Sequence, residues 1–153
     1  MTKTVAEVMT PNPITVTPQT PLQEAIKLLA EKHISGLPVV NDSGQLVGVI
    51  SETDLMWRES GVEASPYIMI LDSIIYLQNP ARYEKEIHKV LGQTVGEVMT
   101  SKPISVKSYQ SLREAAHIMH NKKIGRLPVV DNEGDKVIGL LTQGDIIRSM
   151  VQH

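Results

Sequence analysis

The chain has 153 residues, which is the size of about one domain and argues against a multidomain enzyme. Its 15 Lys and Arg residues stand against 17 Asp and Glu residues, and the net charge of −2 removes the attraction on which sequence-independent nucleic-acid binding depends. Cysteine and phenylalanine are both absent, so disulfides and cysteine-based chemistry are excluded and the core must be aliphatic.

Two segments were candidates for targeting or membrane insertion, and neither has the required pattern. No apolar stretch follows the N-terminal residues 1–7, and the apolar run at 67–77 is interrupted by Asp72 and too short to span a bilayer. Together with the lack of cysteine, this predicts a soluble cytoplasmic chain with no membrane partner.

An internal repeat organises the sequence. Residues 5–56 align with residues 95–147. The matched segments are VAEVMT at 5–10 with VGEVMT at 95–100, PITV at 13–16 with PISV at 103–106, and LPVV at 37–40 with LPVV at 127–130. We therefore expect a duplicated module, with one copy at 5–57, a second copy at 95–152 and a spacer at 58–94 that has no duplicate.

The same order of elements is predicted in each copy: short strand, helix, strand, strand, helix. In the first copy these are a strand at 13–16, a helix from a Thr20 cap through Pro21 to about Lys32, a hairpin of 37–40 with 46–51, and a helix opened by Asp54. In the second copy they are a strand at 103–106, a helix with a capping box of Ser111 and Glu114, a hairpin of 127–130 with 137–142, and a helix opened by Asp145.

The spacer contains one apolar segment. Residues 66–78 have helical spacing of their apolar positions, and Asn79-Pro80 would end such a helix. Two interpretations stay open: a helix packed on the surface of its own module, and a contact between the two chains of a dimer.

A loop with the pattern Gly, two apolar residues, a hydroxyl residue, two further residues and Asp closes each copy. It carries Ser51 and Asp54 in the first copy and Thr142 and Asp145 in the second. A hydroxyl and the free N–H groups of a helix start can bind a phosphate, and the carboxylate can accept two hydrogen bonds from a ribose diol. The alternative is structural, because Ser/Thr-x-x-Asp is itself a capping box.

These motifs, which occur in the same order twice over roughly 110 residues, resemble the CBS domain family, named after cystathionine β-synthase. The resemblance implies an α/β (α+β) fold with two βαββα CBS motifs about a pseudo-twofold axis, forming one compact CBS pair or Bateman module. It also implies a regulatory and non-catalytic protein that binds AMP, ADP, ATP or S-adenosylmethionine in clefts between the paired sheets and commonly forms disc-like homodimers.

The resemblance also assigns roles to polar residues. Asp145 would hold the ribose hydroxyls and Thr142 a phosphate or ribose oxygen, with Asp54 and Ser51 as their counterparts in the first copy. Arg126 falls at the position of a phosphate-binding arginine, whose fork suits phosphate oxygens. The first copy has glycine at the matching position, 36, so the two clefts are expected to differ.

The remaining ligand contacts are predicted on the adenine side. Thr15 and Ser105 fall where the contacts to the base often lie in this family. The apolar walls around the base are predicted to be Ile14, Ile104, Pro38, Pro128, Val39 and Val129.

The leading hypothesis is a sensor that binds an adenine nucleotide and acts through a change of shape on its own dimer or on a protein effector in trans. It requires no cofactor, although a polyphosphate ligand would bring Mg²⁺. The alternative is a structural or interaction module that binds no nucleotide. An enzyme is disfavoured, because no catalytic motif is present and His117 and His120 lack a third metal ligand nearby.

Overall fold

The computed structural model describes residues 3–60 and 93–151. Its first half contains α1 (Val5–Val8), β1 (Thr10–Pro11), α2 (Leu22–Lys32), β2 (Gly36–Val40), β3 (Leu46–Ser51) and α3 (Glu52–Ser60). Its second half contains α4 (Val95–Val98), β4 (Thr100–Ser101), β5 (Val106–Lys107), α5 (Leu112–Lys122), β6 (Arg126–Val130), β7 (Val137–Thr142) and α6 (Gln143–Val151). The helix predicted at 66–78 lies outside the described residues.

The two halves exchange their first strands. One sheet has the order β2-β3-β4 and the other the order β1-β7-β6-β5, so each contains a short strand from the other half of the chain. Thr10 in β1 lies opposite Leu140 in β7, and Thr100 in β4 lies opposite Val49 in β3, both in antiparallel pairing. The exchange is reciprocal, as expected for two similar motifs about a pseudo-twofold axis.

The two hydrophobic cores are built across the same exchange. Val95 and Val98 of α4 are buried in the core of the first half, and Val5 of α1 is buried in the core of the second half. Complete burial of one such side chain stabilises the fold by about 1.5–3 kcal/mol. Neither half therefore completes its own core from its own residues.

The amphipathic helices form where their spacing predicts them, but one of the two predicted caps is wrong. In α5 the Ser111 Oγ accepts a hydrogen bond from the Glu114 N–H at 3.0 Å. In α2 the capping position is Pro21, because the Thr20 hydroxyl instead accepts a hydrogen bond from the Thr17 N–H at 3.0 Å. The Thr20 side chain thus closes the preceding turn and is not directed at the helix.

The predicted first strands and last helices differ from the structure in their limits. In place of a strand at 13–16, Val16 alone forms a bridge, to Val39. The second copy has a strand at 106–107 in place of 103–106. The last helices begin two residues before the predicted aspartates, so each aspartate lies in the first turn and the preceding hydroxyl residue stands at the cap.

Two matched glycines, Gly48 in β3 and Gly139 in β7, make room for the exchanged segments. A Cβ on Gly139 would meet the Met9 side chain, whereas one on Gly48 would meet both the Met99 side chain and the backbone oxygen of Thr100, the latter at 3.0 Å. A methionine side chain can move aside, but a backbone oxygen within a sheet cannot easily do so.

We therefore expect Gly48→Ala to lower the free energy of unfolding by about 1–3 kcal/mol, as overpacking commonly does, and Gly139→Ala to lower it by less. Urea unfolding of the two matched variants measures the difference. An equal loss, or a larger loss for Gly139→Ala, would contradict the proposed role of the Thr100 oxygen.

Candidate functional site

In the described part of the chain, two of the clefts between the halves carry one of the predicted isoleucines each, and each has walls from both copies of the repeat. The large cleft has a volume of about 570 Å³, and the small cleft a volume of about 260 Å³. Sites for small ligands commonly fall between about 300 and 1,000 Å³, a range that includes the large cleft. The large cleft is lined by residues 10, 12–14, 33–36, 52, 125, 126, 140, 142–145 and 148, and the small cleft by residues 49, 51, 100, 102–104, 124, 126 and 128.

The strand exchange decides which predicted residues share a cleft. Ile14 from the first copy lies in the large cleft with Thr142 and Asp145 from the second. Ile104 from the second copy lies in the small cleft with Ser51 from the first. Each isoleucine follows an exchanged strand by a few residues and therefore accompanies that strand to the opposite half.

The Asp145 carboxylate is buried at the start of α6, where it joins a capping box. Asp145 Oδ2 accepts a hydrogen bond from the Thr142 N–H at 3.0 Å, and the backbone N–H of Asp145 donates to Thr142 Oγ1 at 3.1 Å. Its Oδ1 lies 2.6 Å from Arg148 Nη2. The Thr10 hydroxyl donates to both carboxylate oxygens, at 3.3 and 3.4 Å. The structural interpretation of this motif is therefore realised in the fold.

The first copy repeats most of this arrangement around Asp54. This buried carboxylate accepts hydrogen bonds from the Ser51 N–H at 3.0 Å and from the Ser51 hydroxyl at 3.3 Å. The Thr100 hydroxyl donates to its Oδ1 at 3.0 Å. The sequence reasoning missed Thr10 and Thr100, although both end the repeated Val-Met-Thr motif and could have been found there.

The Arg126 side chain lies between the two clefts and lines both of them. Its Nε donates a hydrogen bond to the Ser35 hydroxyl at 3.1 Å, and its Nη2 lies 3.8 Å from the exposed carboxylate of Glu52. Its side chain is only 18% exposed, whereas most arginine side chains are largely exposed to solvent.

The predicted walls of the adenine site are only partly at the clefts. Pro128 and Ile104 line the small cleft and Ile14 the large one. Thr15, Ser105 and Pro38 line neither of these two clefts. Val39 and Val129 also line neither of these two clefts, and both are completely buried in the two hydrophobic cores.

The described ranges hold neither a cluster of metal ligands nor a membrane-spanning helix. Across residues 3–60 and 93–151, no three His, Cys, Asp or Glu side chains are placed to hold a metal ion. His117 and His120 are exposed on α5, where His117 Nε2 lies 2.9 Å from the Asn121 amide. In the same part of the chain, no helix has both the length and the apolar character needed to cross a membrane.

A family model for the CBS domain matches residues 5–60 and 95–152, which together make up most of the chain. The chain belongs to the CBS domain family. The predicted mixed α/β fold, with two CBS motifs in one compact pair, is thereby confirmed, since solved CBS pairs share the architecture.

Three comparisons define the similarity. CBSX2 of Arabidopsis thaliana, a chloroplastic CBS domain-containing protein, is 38% identical over 153 residues, which cover 97% of this chain and 64% of CBSX2. A crystal structure of CBSX2 in complex with AMP is 37% identical, with a TM-score of 0.79 and coverage of 98% of this chain and 97% of that chain. The CBS domain pair of MJ0100, solved with 5′-methylthioadenosine and S-adenosyl-L-methionine, is 26% identical, with a TM-score of 0.69 and coverage of 97% and 99%. This chain thus spans less than two thirds of the full CBSX2 protein.

The two kinds of contact to Asp145 should differ in their effect on stability. Thr142→Val removes the Oγ1 acceptor of the cap and should lower the free energy of unfolding by about 1 kcal/mol. Arg148→Gln removes an ion pair whose arginine side chain is 68% exposed, and it should lower the same quantity by less, because exposed pairs contribute about 0–1 kcal/mol. Urea unfolding at two salt concentrations measures both. A larger loss for Arg148→Gln would show that the ion pair contributes more to stability than the hydroxyl cap.

Proposed function

We propose that this CBS pair is a non-catalytic sensor that binds an adenine nucleotide, with AMP as the representative ligand, in the large cleft. The observation that carries the proposal is that the strand exchange brings Ile14, Arg126, Thr142 and Asp145 to the walls of this one cleft. The similarity to CBSX2, whose structure contains AMP, supports the choice of ligand.

The proposed contacts follow from the hydrogen-bonding capacity of each group. The cap uses Thr142 Oγ1 as an acceptor, so the same oxygen still has its hydrogen to donate to a phosphate. Arg126 offers its planar guanidinium to phosphate oxygens. The Thr10 hydroxyl lies at the long distances of 3.3 and 3.4 Å from the Asp145 carboxylate, and ribose hydroxyls would replace this weak contact.

Regulation would follow from the position of the cleft between the two halves. A ligand held by Ile14 from the first copy and Asp145 from the second binds best at one relative orientation of the halves, and it therefore favours that orientation. The change of shape would reach a protein effector in trans or the second chain of a dimer. A polyphosphate ligand would bring Mg²⁺, and no other cofactor is proposed.

A second candidate, an interaction module without a ligand, is favoured by one observation. The carboxylates of Asp54 and Asp145 both accept several hydrogen bonds within the protein, so a role in capping accounts for their burial without any nucleotide.

Asp145→Asn separates the two candidates. It replaces one acceptor oxygen by a donor, so the sensor proposal predicts a loss of AMP affinity of about 10-fold or more at the large cleft. Calorimetric titration measures this. The affinity for 2′-deoxy-AMP should start lower and fall less, because that ligand lacks one of the two hydroxyls. Asp54→Asn is the matched control, since it changes the equivalent capping carboxylate and should leave the large cleft intact.

The interaction module predicts a different result. Asp145→Asn would then lower the melting temperature, and calorimetry would detect no heat of AMP binding to the unaltered chain. A loss of AMP affinity that is equal for Asp54→Asn and Asp145→Asn would also argue against the large cleft as the nucleotide site.

We further propose that two copies of this chain form a homodimer through the last helices of the two halves. On α6, Ile147, Met150 and Val151 are 60, 71 and 73% exposed, and their spacing places them on one face. Met56 on α3, at the position matched to Ile147, is 63% exposed. Large apolar side chains grouped in this way commonly mark a protein interface.

Ile147→Glu combined with Met150→Glu should convert a dimer into a monomer, because two charges would be buried in the contact. Sedimentation velocity at tens of micromolar measures the change. Tyr109→Glu is the control, because Tyr109 is similarly exposed, at 65%, but precedes α5 and does not lie on this face. A monomeric unaltered chain, or dissociation by Tyr109→Glu alone, would contradict the proposed interface.

A further inference from the structure

We propose that the large and small clefts share one phosphate-binding side chain, Arg126, so that a phosphate-bearing ligand in one cleft weakens the binding of such a ligand in the other. The inference rests on the proposed function and extends it to the relation between the two sites. A nucleoside without a phosphate would escape this antagonism.

Arg126 lies where the two halves meet. It is the first residue of β6, lies opposite Thr142 in the strand register, and lines both clefts. The other residues that line the large cleft differ from those that line the small cleft. Arg126 is therefore common to the two sites.

The Arg126 side chain occupies the space next to the matching position of the first copy. Gly36 occupies the position of the first copy that matches Arg126, and the two positions face each other. A Cβ on Gly36 would collide with Arg126 Cδ and would lie 2.9 Å from its Nε. A side chain at residue 36 would thus displace the guanidinium from its present position, and glycine in the first copy leaves that position to Arg126.

Two residues of the large cleft hold the Arg126 side chain toward that cleft. Ser35 accepts its Nε hydrogen bond and Glu52 lies 3.8 Å from its Nη2, and both of these partners line the large cleft. A phosphate entering there meets a guanidinium that is already oriented. A phosphate in the small cleft would have to draw the same group away from Ser35 and Glu52.

Among the described residues, the small cleft has one other cationic side chain on its wall, Lys102. An ammonium is a point charge without the paired donors of a guanidinium, so it replaces Arg126 incompletely. When a first nucleotide engages Arg126, the second phosphate loses a charge-assisted contact, which corresponds to a loss of affinity of about 10–100-fold.

The test blocks one cleft and measures the other. Ile14→Trp projects a larger ring from the wall of the large cleft, at a position that is 39% exposed, to obstruct the nucleotide, and Arg126 is left in place. Calorimetric titration with AMP should then show that the remaining step, at the small cleft, is about 10-fold tighter than the second step of the unaltered chain. Adding Arg126→Ala should abolish this gain. Titration with adenosine should show no gain in affinity at the small cleft, because adenosine has no phosphate to contact Arg126.

Matched variants serve as controls. Ile104→Trp blocks the small cleft at the equivalent position and should remove the weaker AMP step instead of the tighter one. Pro13→Trp, which also lines the large cleft, is a second blocking variant if Ile14→Trp fails to fold. Circular dichroism and the melting temperature establish that each variant is folded.

The outcomes are distinct. A small-cleft step for AMP that is unchanged by blocking the large cleft would overturn the inference, as would a gain that persists without Arg126. A chain that binds one AMP when unaltered and none when the large cleft is blocked would also overturn it, because the small cleft would not be a nucleotide site. If the unaltered chain bound neither AMP nor adenosine, the proposed function itself would fail.

Discussion

The exchange of the first strands between the two halves is the constraint from which the rest of the structure follows. β1 pairs with β7 of the second half, and β4 pairs with β3 of the first half. The short helices that precede these strands, α1 and α4, bury Val5, Val95 and Val98 in the core of the opposite half. A single copy would leave a sheet edge unpaired and a core incomplete, which is costly for a module of about 50 residues. The duplication therefore supplies each motif with the parts that it lacks.

The same exchange places both clefts between the halves, each with walls from both copies. A ligand bound as proposed would contact both halves at once, so occupancy of the cleft would be linked to the relative position of the halves. A cleft built within one motif could bind a ligand equally well, but it would report nothing about the arrangement of the pair. The proposed regulation depends on this linkage.

The groups that cap α6 are also those that we propose to bind the nucleotide. The carboxylate at the start of α6 orders the helix through Thr142 and also lies at the wall of the large cleft. A carboxylate has about four lone-pair sites, so a cap does not exhaust its capacity to accept hydrogen bonds. Substitutions there require measurement of both stability and ligand affinity, because a loss of affinity alone could result from loss of the cap or from loss of a ligand contact.

The sequence alone determined the local structure and the repeat. Helical spacing fixed α2 and α5, β-branched runs fixed the hairpins, and the duplicated Ser/Thr-x-x-Asp loop indicated where polar groups would meet. These features depend on residues that are near one another in the chain. A family resemblance then added the pairing of the two motifs and the class of ligand.

The tertiary structure alone decided which residues share a cleft. Ile14 joins Asp145, Arg126 faces Gly36, and the two valines expected at the ligand, Val39 and Val129, lie in the cores. A strand pattern shows that residues alternate between two faces, but it does not show which face another element will cover. Here the covering elements come from the opposite half of the chain, so no local pattern carries that information.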